Sequence, residues 1–155
     1  YEQSLAAFRE LGDRWGIASS LADLGNLARD ERNYDAARSL YRESMRMFQG
    51  LQHKRGIARL LECFACLAAA QAEPERALRF AGAAAALRQT LGAPLTAGEQ
   101  AKVETSLAPA RQALTTTAAA AAWQQGWETP LEKGVEEGLA WPAREPGLTP
   151  PLSGQ

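Results

Sequence analysis

YEQSLAAFRELGDRWGIASSL (1–21) recurs forty residues later as YRESMRMFQGLQHKRGIARLL (41–61). Eight of the 21 aligned positions are identical without a gap. Tyr1, Ser4, Phe8 and Leu11 meet Tyr41, Ser44, Phe48 and Leu51, and Gly16, Ile17, Ala18 and Leu21 meet Gly56, Ile57, Ala58 and Leu61. The same offset continues more weakly, with Leu27, Ala28 and Ala37 over Leu67, Ala68 and Ala77. A fixed internal period of this size is the signature of a repeat architecture.

Each unit reads as two helices. Ile17, Leu21, Leu24 and Ala28 lie at spacings that line one face of a helix, and Ile57, Leu61, Phe64 and Ala68 repeat them. Asn33 is a candidate N-cap for a second helix carrying Tyr34, Ala37, Tyr41, Ser44 and Phe48 on one stripe. In the second unit Glu73-Pro74 opens that helix, with proline in the first turn.

Leu24-Gly25, Ala37 and Tyr41, followed by Phe64-Ala65, Ala77 and Ala81, resemble the tetratricopeptide repeat. The resemblance implies that Gly25 and Ala65 lie where the two helices of a unit cross, opposite Ala37 and Ala77. Small residues there let helix axes approach to about 8–10 Å. Two features depart from that family. The period is forty residues where about 34 is usual, and Leu21 and Leu61 stand where a tryptophan is common. The longer period resembles the repeats of signalling ATPases and LuxR-type regulators.

Beyond Phe80 the plan changes. Thr96-Ala97-Gly98-Glu99 has capping-box form and opens a helix striped by Val103, Leu107, Ala110 and Leu114. Pro109 is expected to kink or divide it. A short helix is expected over 118–125, ending near Gly126, and a last one from Thr129-Pro130-Leu131-Glu132 through Leu139. This region resembles the tail closing many bacterial proteins that carry an ATPase, cyclase or DNA-binding module before helical repeats. A solenoid needs an atypical terminal unit, and Trp123 and Trp127 are placed to fold onto the exposed end.

The expected fold is therefore all-α: an antiparallel helix-pair solenoid of tetratricopeptide type with a C-terminal helical cap. Residues 1–93 form the repeats, with 1–13 ending a preceding unit and 14–53 and 54–93 forming two more. Residues 94–140 form the cap. The proline-rich stretch after Trp141, residues 141–155, is expected to be a disordered tail.

Composition narrows the chemistry. The 155 residues are 46% hydrophobic, much of it alanine, and carry a formal charge of −1 without a basic stripe. Phosphate-backbone binding is poorly supported, so no nucleic-acid contact is expected, and no apolar run suggests a membrane span. Tyr1 is not an initiator methionine, and the chain is expected to be the C-terminal part of a larger protein. Cys63 and Cys66 are not a disulfide framework, and free thiols suit a reducing cytoplasm. Their CxxC spacing lies mid-helix without the strand that precedes a redox motif, and one histidine cannot complete a zinc site, so both are expected to be structural. His53 reads as a solvated turn residue, and Glu136-Glu137 as solvated surface. No nucleophile–base set or phosphate loop is present, so no enzymatic activity, metal or cofactor is expected.

The expected function is protein–protein interaction or scaffolding. The resemblance implies a concave groove formed by Ser19, Ala22, Asn26 and Arg29 from one unit and Arg59, Glu62, Cys66 and Ala69 from the next. The implied partner is a protein or peptide, or upstream domains of the same parent chain. The dicarboxylate clamp of chaperone-binding relatives is incomplete, because Ala22 replaces its lysine and Asn26 alone fits. Two alternatives are a small-molecule sensor with an enclosed pocket and a purely structural spacer.

Overall fold

The computed structural model describes residues 13–141, and among them the chain forms seven helices and no strand. These are α1 (Arg14–Asp30), α2 (Tyr34–Gly50), α3 (Lys54–Ala70), α4 (Pro74–Leu91), α5 (Ala97–Ala113), α6 (Thr116–Glu128) and α7 (Leu131–Ala140). The expected end of a preceding repeat and the expected tail after Trp141 lie outside the described residues.

The forty-residue period of the sequence becomes a period of twenty in the backbone. α1 through α4 begin at residues 14, 34, 54 and 74, behind N-caps Asp13, Asn33, His53 and Glu73. Each of the four ends in the same way, with a residue of positive φ: Arg32 (65°), Gln52 (54°), Ala72 (60°) and Gly92 (63°). At every one, two amides fold back onto the helix end. Asn33 N–H bonds Ala28 C=O and Arg32 N–H bonds Arg29 C=O, and the pattern repeats through Ala93 onto Arg88 and Gly92 onto Gln89. This is the Schellman arrangement, which satisfies carbonyls the helix leaves open.

Within the first pair, the nearest neighbour of Gly25 is Tyr41: a Cβ at Gly25 would stand 2.5 Å from the tyrosine ring. The missing side chain makes room for that ring, whose hydroxyl donates to Asn26 Oδ1. Ser44 Oγ also donates to the Ala18 carbonyl at 2.7 Å, a second polar tie between α1 and α2. Tyr41 in turn packs edge-on against Phe64 of α3, and Phe64 stacks on Phe80 of α4. One aromatic chain thus runs through α2, α3 and α4.

The C-terminal helices attach at three different places. α5 packs on α3 and α4, α6 on α4, and α7 on α2, α3 and α4. α5 opens with the expected capping box, Glu99 N–H to Thr96 Oγ1 and Thr96 N–H to Glu99 Oε1. Pro109 does not divide it: the residue is exposed and the helix runs on to Ala113. Its missing N–H leaves the Thr105 carbonyl without its intrahelical donor, at an exposed residue.

α6 runs past Gly126, which is not a helix stop. Gly126 and Gly82 form the crossing of α6 and α4, where a Cβ on either would fall onto the other helix's backbone, at Arg79 or at Trp123. Thr129 closes α6 by donating to the Gln125 carbonyl at 2.6 Å, and α7 has no side-chain cap.

Glu137 of α7 is an ion-pair partner and not free surface, bonded to Arg79 at 2.8 Å with Arg76 beside it. Trp141 then enters the core. Its ring lies against Phe64 and Phe80, and the guanidiniums of Arg38 and Arg76 each sit 4.8 Å from its centre. Arg38 is itself fully buried and bonded to Asp35 and Gln71. Among the described residues no helix is long and apolar enough to cross a membrane.

Candidate binding groove beside α5

The face of α1 and α3 that the sequence assigns to a groove is partly covered by α5. What remains is a set of cavities along that helix. One, of about 720 Å³, lies between α3, α4, α5 and α6. Ala65, Ala81 and Ala85 floor it, Val103 and Leu107 of α5 flank it, and Trp123 and Trp127 close one side. The two indoles stack with centroids 5.1 Å apart. Its polar groups include Gln89, Gln100, Glu104 and Arg111. On the other flank of α5, facing α1, is a cavity of about 310 Å³ lined chiefly by polar and charged residues.

The second cavity gathers most of the expected groove residues. Asn26 and Arg29 come from α1, and Arg59, Glu62 and Cys66 from α3. Ser19 lines a neighbouring cavity of about 420 Å³ together with Arg59, Trp15 and His53. Ala22 is 0% exposed and Ala69 is buried, so both back the groove from within the core. The sequence did not single out Arg88, Lys102 or Ser106, which also line the 310 Å³ cavity, and it read Val103 only as part of the apolar stripe of α5. The capping box located the start of α5, but a sparse apolar stripe says that a helix packs and not where it packs.

Several of these polar groups are already engaged. Glu62 holds Arg88 with both carboxylate oxygens, the second at 2.9 Å, and the two side chains are only 11% and 16% exposed. Arg59 pairs with Asp23 of α1, joining the two units. Asn26 accepts from the Tyr41 hydroxyl through its side-chain oxygen. Arg29 differs from its neighbours: among the described residues its one ion pair is a 3.4 Å contact to Asp30, which is largely exposed.

The two cysteines are free and buried. Burial pushes the Cys63 thiol up to about 12, against the pull of Arg59, and burial also raises Cys66. Neither is a poised thiolate, because desolvation disfavours the charged form that redox and metal chemistry require. Among the described residues no group of histidine, cysteine and carboxylate side chains is arranged to hold a metal ion.

His53 is not a solvated turn residue. It caps α3: its Nδ1 accepts from Gly56 N–H at 2.9 Å, as Asp13 accepts from Gly16 N–H forty residues earlier. Its Nε2 lies 3.1 Å from the Trp15 indole N–H, with the rings edge-on at 6.1 Å. A neutral imidazole has one acceptor nitrogen, so the Gly56 and Trp15 bonds compete for it. Phe48 covers the imidazole at 5.4 Å.

No family model, curated protein or solved structure matches the chain.

Proposed function

We propose that the chain is a non-catalytic protein–protein interaction or scaffolding module, the C-terminal repeat segment of a larger cytoplasmic bacterial signalling or transcription regulator, with a tetratricopeptide-like array in 14–93. The observation carrying this reading is the convergence of Asn26, Arg29, Arg59 and Glu62 on one side of two helix pairs joined by identical turns. Polar groups fixed on rigid helices can receive a partner with little reorganisation, which lowers the cost of binding. α5 lies across the same side, so the partner surface comprises the strip that α5 leaves open and the flanks of α5 itself.

The test is selection of a binder from a helical-peptide library, followed by titration of that peptide into variants. Arg29→Glu with Arg59→Glu is expected to weaken binding at least tenfold, with the fold retained by circular dichroism. Deletion of residues 142–155 is expected to leave affinity unchanged. If the deletion abolishes binding and the double charge reversal does not, the groove assignment is wrong.

A second reading, small-molecule sensing, is favoured by the 720 Å³ cavity with its stacked Trp123 and Trp127. Its volume falls in the usual range of ligand pockets, roughly 300–1,000 Å³. Tryptophan fluorescence that responds saturably to a small apolar ligand in wild type, and not in Trp127→Phe, supports that reading over the first.

A further inference from the structure

Arg29 and Lys102 face one cavity from opposite sides, and neither charge is well answered. Arg29, in the last turn of α1, is 19% exposed at its side chain, and Asp30 at 3.4 Å is 68% exposed. By contrast Arg79 has a carboxylate oxygen at 2.8 Å, and Arg88 is held by both oxygens of Glu62. Lys102 has no carboxylate partner among the described residues, and Ser106 stands one turn further along the same side of α5.

The acids around this cavity are committed elsewhere. Glu62 is bound to Arg88, and Glu99 accepts the Thr96 amide in the capping box. Asp23 holds Arg59. The lining of this recess of about 310 Å³, partly shut off from water, itself carries four cations, Arg29, Arg59, Arg88 and Lys102, against two carboxylates, Glu62 and Glu99. Charges interact more strongly there than on an open surface. α5 is also thinly seated: of its 17 residues, Leu107 and Ala110 are the buried ones.

We propose that this cavity binds an oxyanion group, phosphate or carboxylate, of a small molecule, held by Arg29 from α1 and by Lys102 and Ser106 from α5. The guanidinium presents paired N–H donors, the ammonium a compact charge and the hydroxyl a further donor, a set suited to an oxyanion. Because the donors come from two helices, the bound anion ties α5 to α1 and shuts the groove between them. The ligand controls access to the face assigned above to a partner, but its binding does not depend on that assignment.

The experiment is calorimetric titration of inorganic phosphate, and separately of citrate, into the full chain at constant ionic strength. Saturable one-to-one binding is expected. Phosphate alone, citrate alone or both identifies the group preferred, and each supports the site. Arg29→Gln and Lys102→Gln should each weaken binding at least tenfold, whereas Arg46→Gln, exposed on α2, should not alter it. In a Cys63→Ala background, alkylation of Cys66 in the cavity wall should slow several-fold when the anion is bound. Absence of saturable binding by both anions overturns the proposal. So does binding that survives Lys102→Gln, an exposed substitution that should not disturb folding.

Discussion

At the scale of single residues, the repeat is held by positions whose chemistry is set by one neighbour. Gly25 is small because Tyr41 lies on it. Gly25→Leu is therefore expected to destabilise the chain by about 1–3 kcal/mol, as overpacking does. The check is a denaturant midpoint compared with exposed Glu43→Ala. Ala72 poses the opposite case. It takes φ 60° where Gly92 does the same job at the end of α4. The left-handed conformation costs a non-glycine residue about 1–2 kcal/mol, offset in part by glycine's extra freedom when unfolded. Ala72→Gly should raise stability by about 0.5–1 kcal/mol, read as a higher melting temperature. Glycine's absence at 32, 52 and 72 is why these turns were hard to see in the sequence. His53 was missed for a related reason, since histidine rarely serves as an N-cap and the usual set is Ser, Thr, Asp and Asn.

At the scale of helices, the apolar spacing around Ile17, Leu21, Ile57 and Leu61 located α1 and α3, and Asn33 with the Tyr34, Ala37, Tyr41 stripe and Glu73-Pro74 located α2 and α4. Periodicity reports a buried face directly. It does not report a partner, so the seat of α5 and the crossing of α6 on α4 were not legible. Gly126 looked like a stop because glycine commonly follows a helix. Its actual role depends on Arg79, a residue 47 positions away in the chain. Gly126→Ala separates the two readings. Alanine in a helix interior gains about 1 kcal/mol over glycine on propensity alone. Here the variant is expected to lose stability, because the added Cβ meets backbone that cannot move aside. A rise in the melting temperature would show the crossing to be loose. α5 offers a pH test. The Thr96 amide bond holds the Glu99 carboxyl below the usual glutamate value. A depressed carboxyl contributes stability above its unfolded value of about 4.3 and loses it as pH falls through the folded one. Protection of the α5 amides, the exchange rate taken relative to the intrinsic rate at each pH, should fall on acidification through that range, and Thr96→Ala should remove much of the effect. The contribution is small because Glu99 is exposed.

At the scale of the whole molecule, Trp141 joins the end of α7 to α2, α3 and α4. It closes α7 and lies against Phe64 and Phe80, between Arg38 of α2 and Arg76 of α4. The sequence placed it at the start of a tail, since a proline follows and no stripe leads into it. Removing a buried aromatic typically costs about 3–5 kcal/mol. Trp141→Ala is expected to approach that range and to lower one cooperative transition. Two separated transitions would instead mean that the C-terminal helices fold independently of α1 to α4.

The evenly spaced turns also set the rules by which such a chain can change length. Asp13, Asn33, His53 and Glu73 mark twenty-residue steps, each entered and left by the same backbone geometry. An insertion or loss of forty residues keeps every turn and returns each helix to its own side. A step of twenty keeps the turns but exchanges the first and second helices of every pair. Any other step breaks a turn. Genes encoding arrays of this kind should therefore grow and shrink in multiples of 120 nucleotides, and their surviving length variants should record that arithmetic.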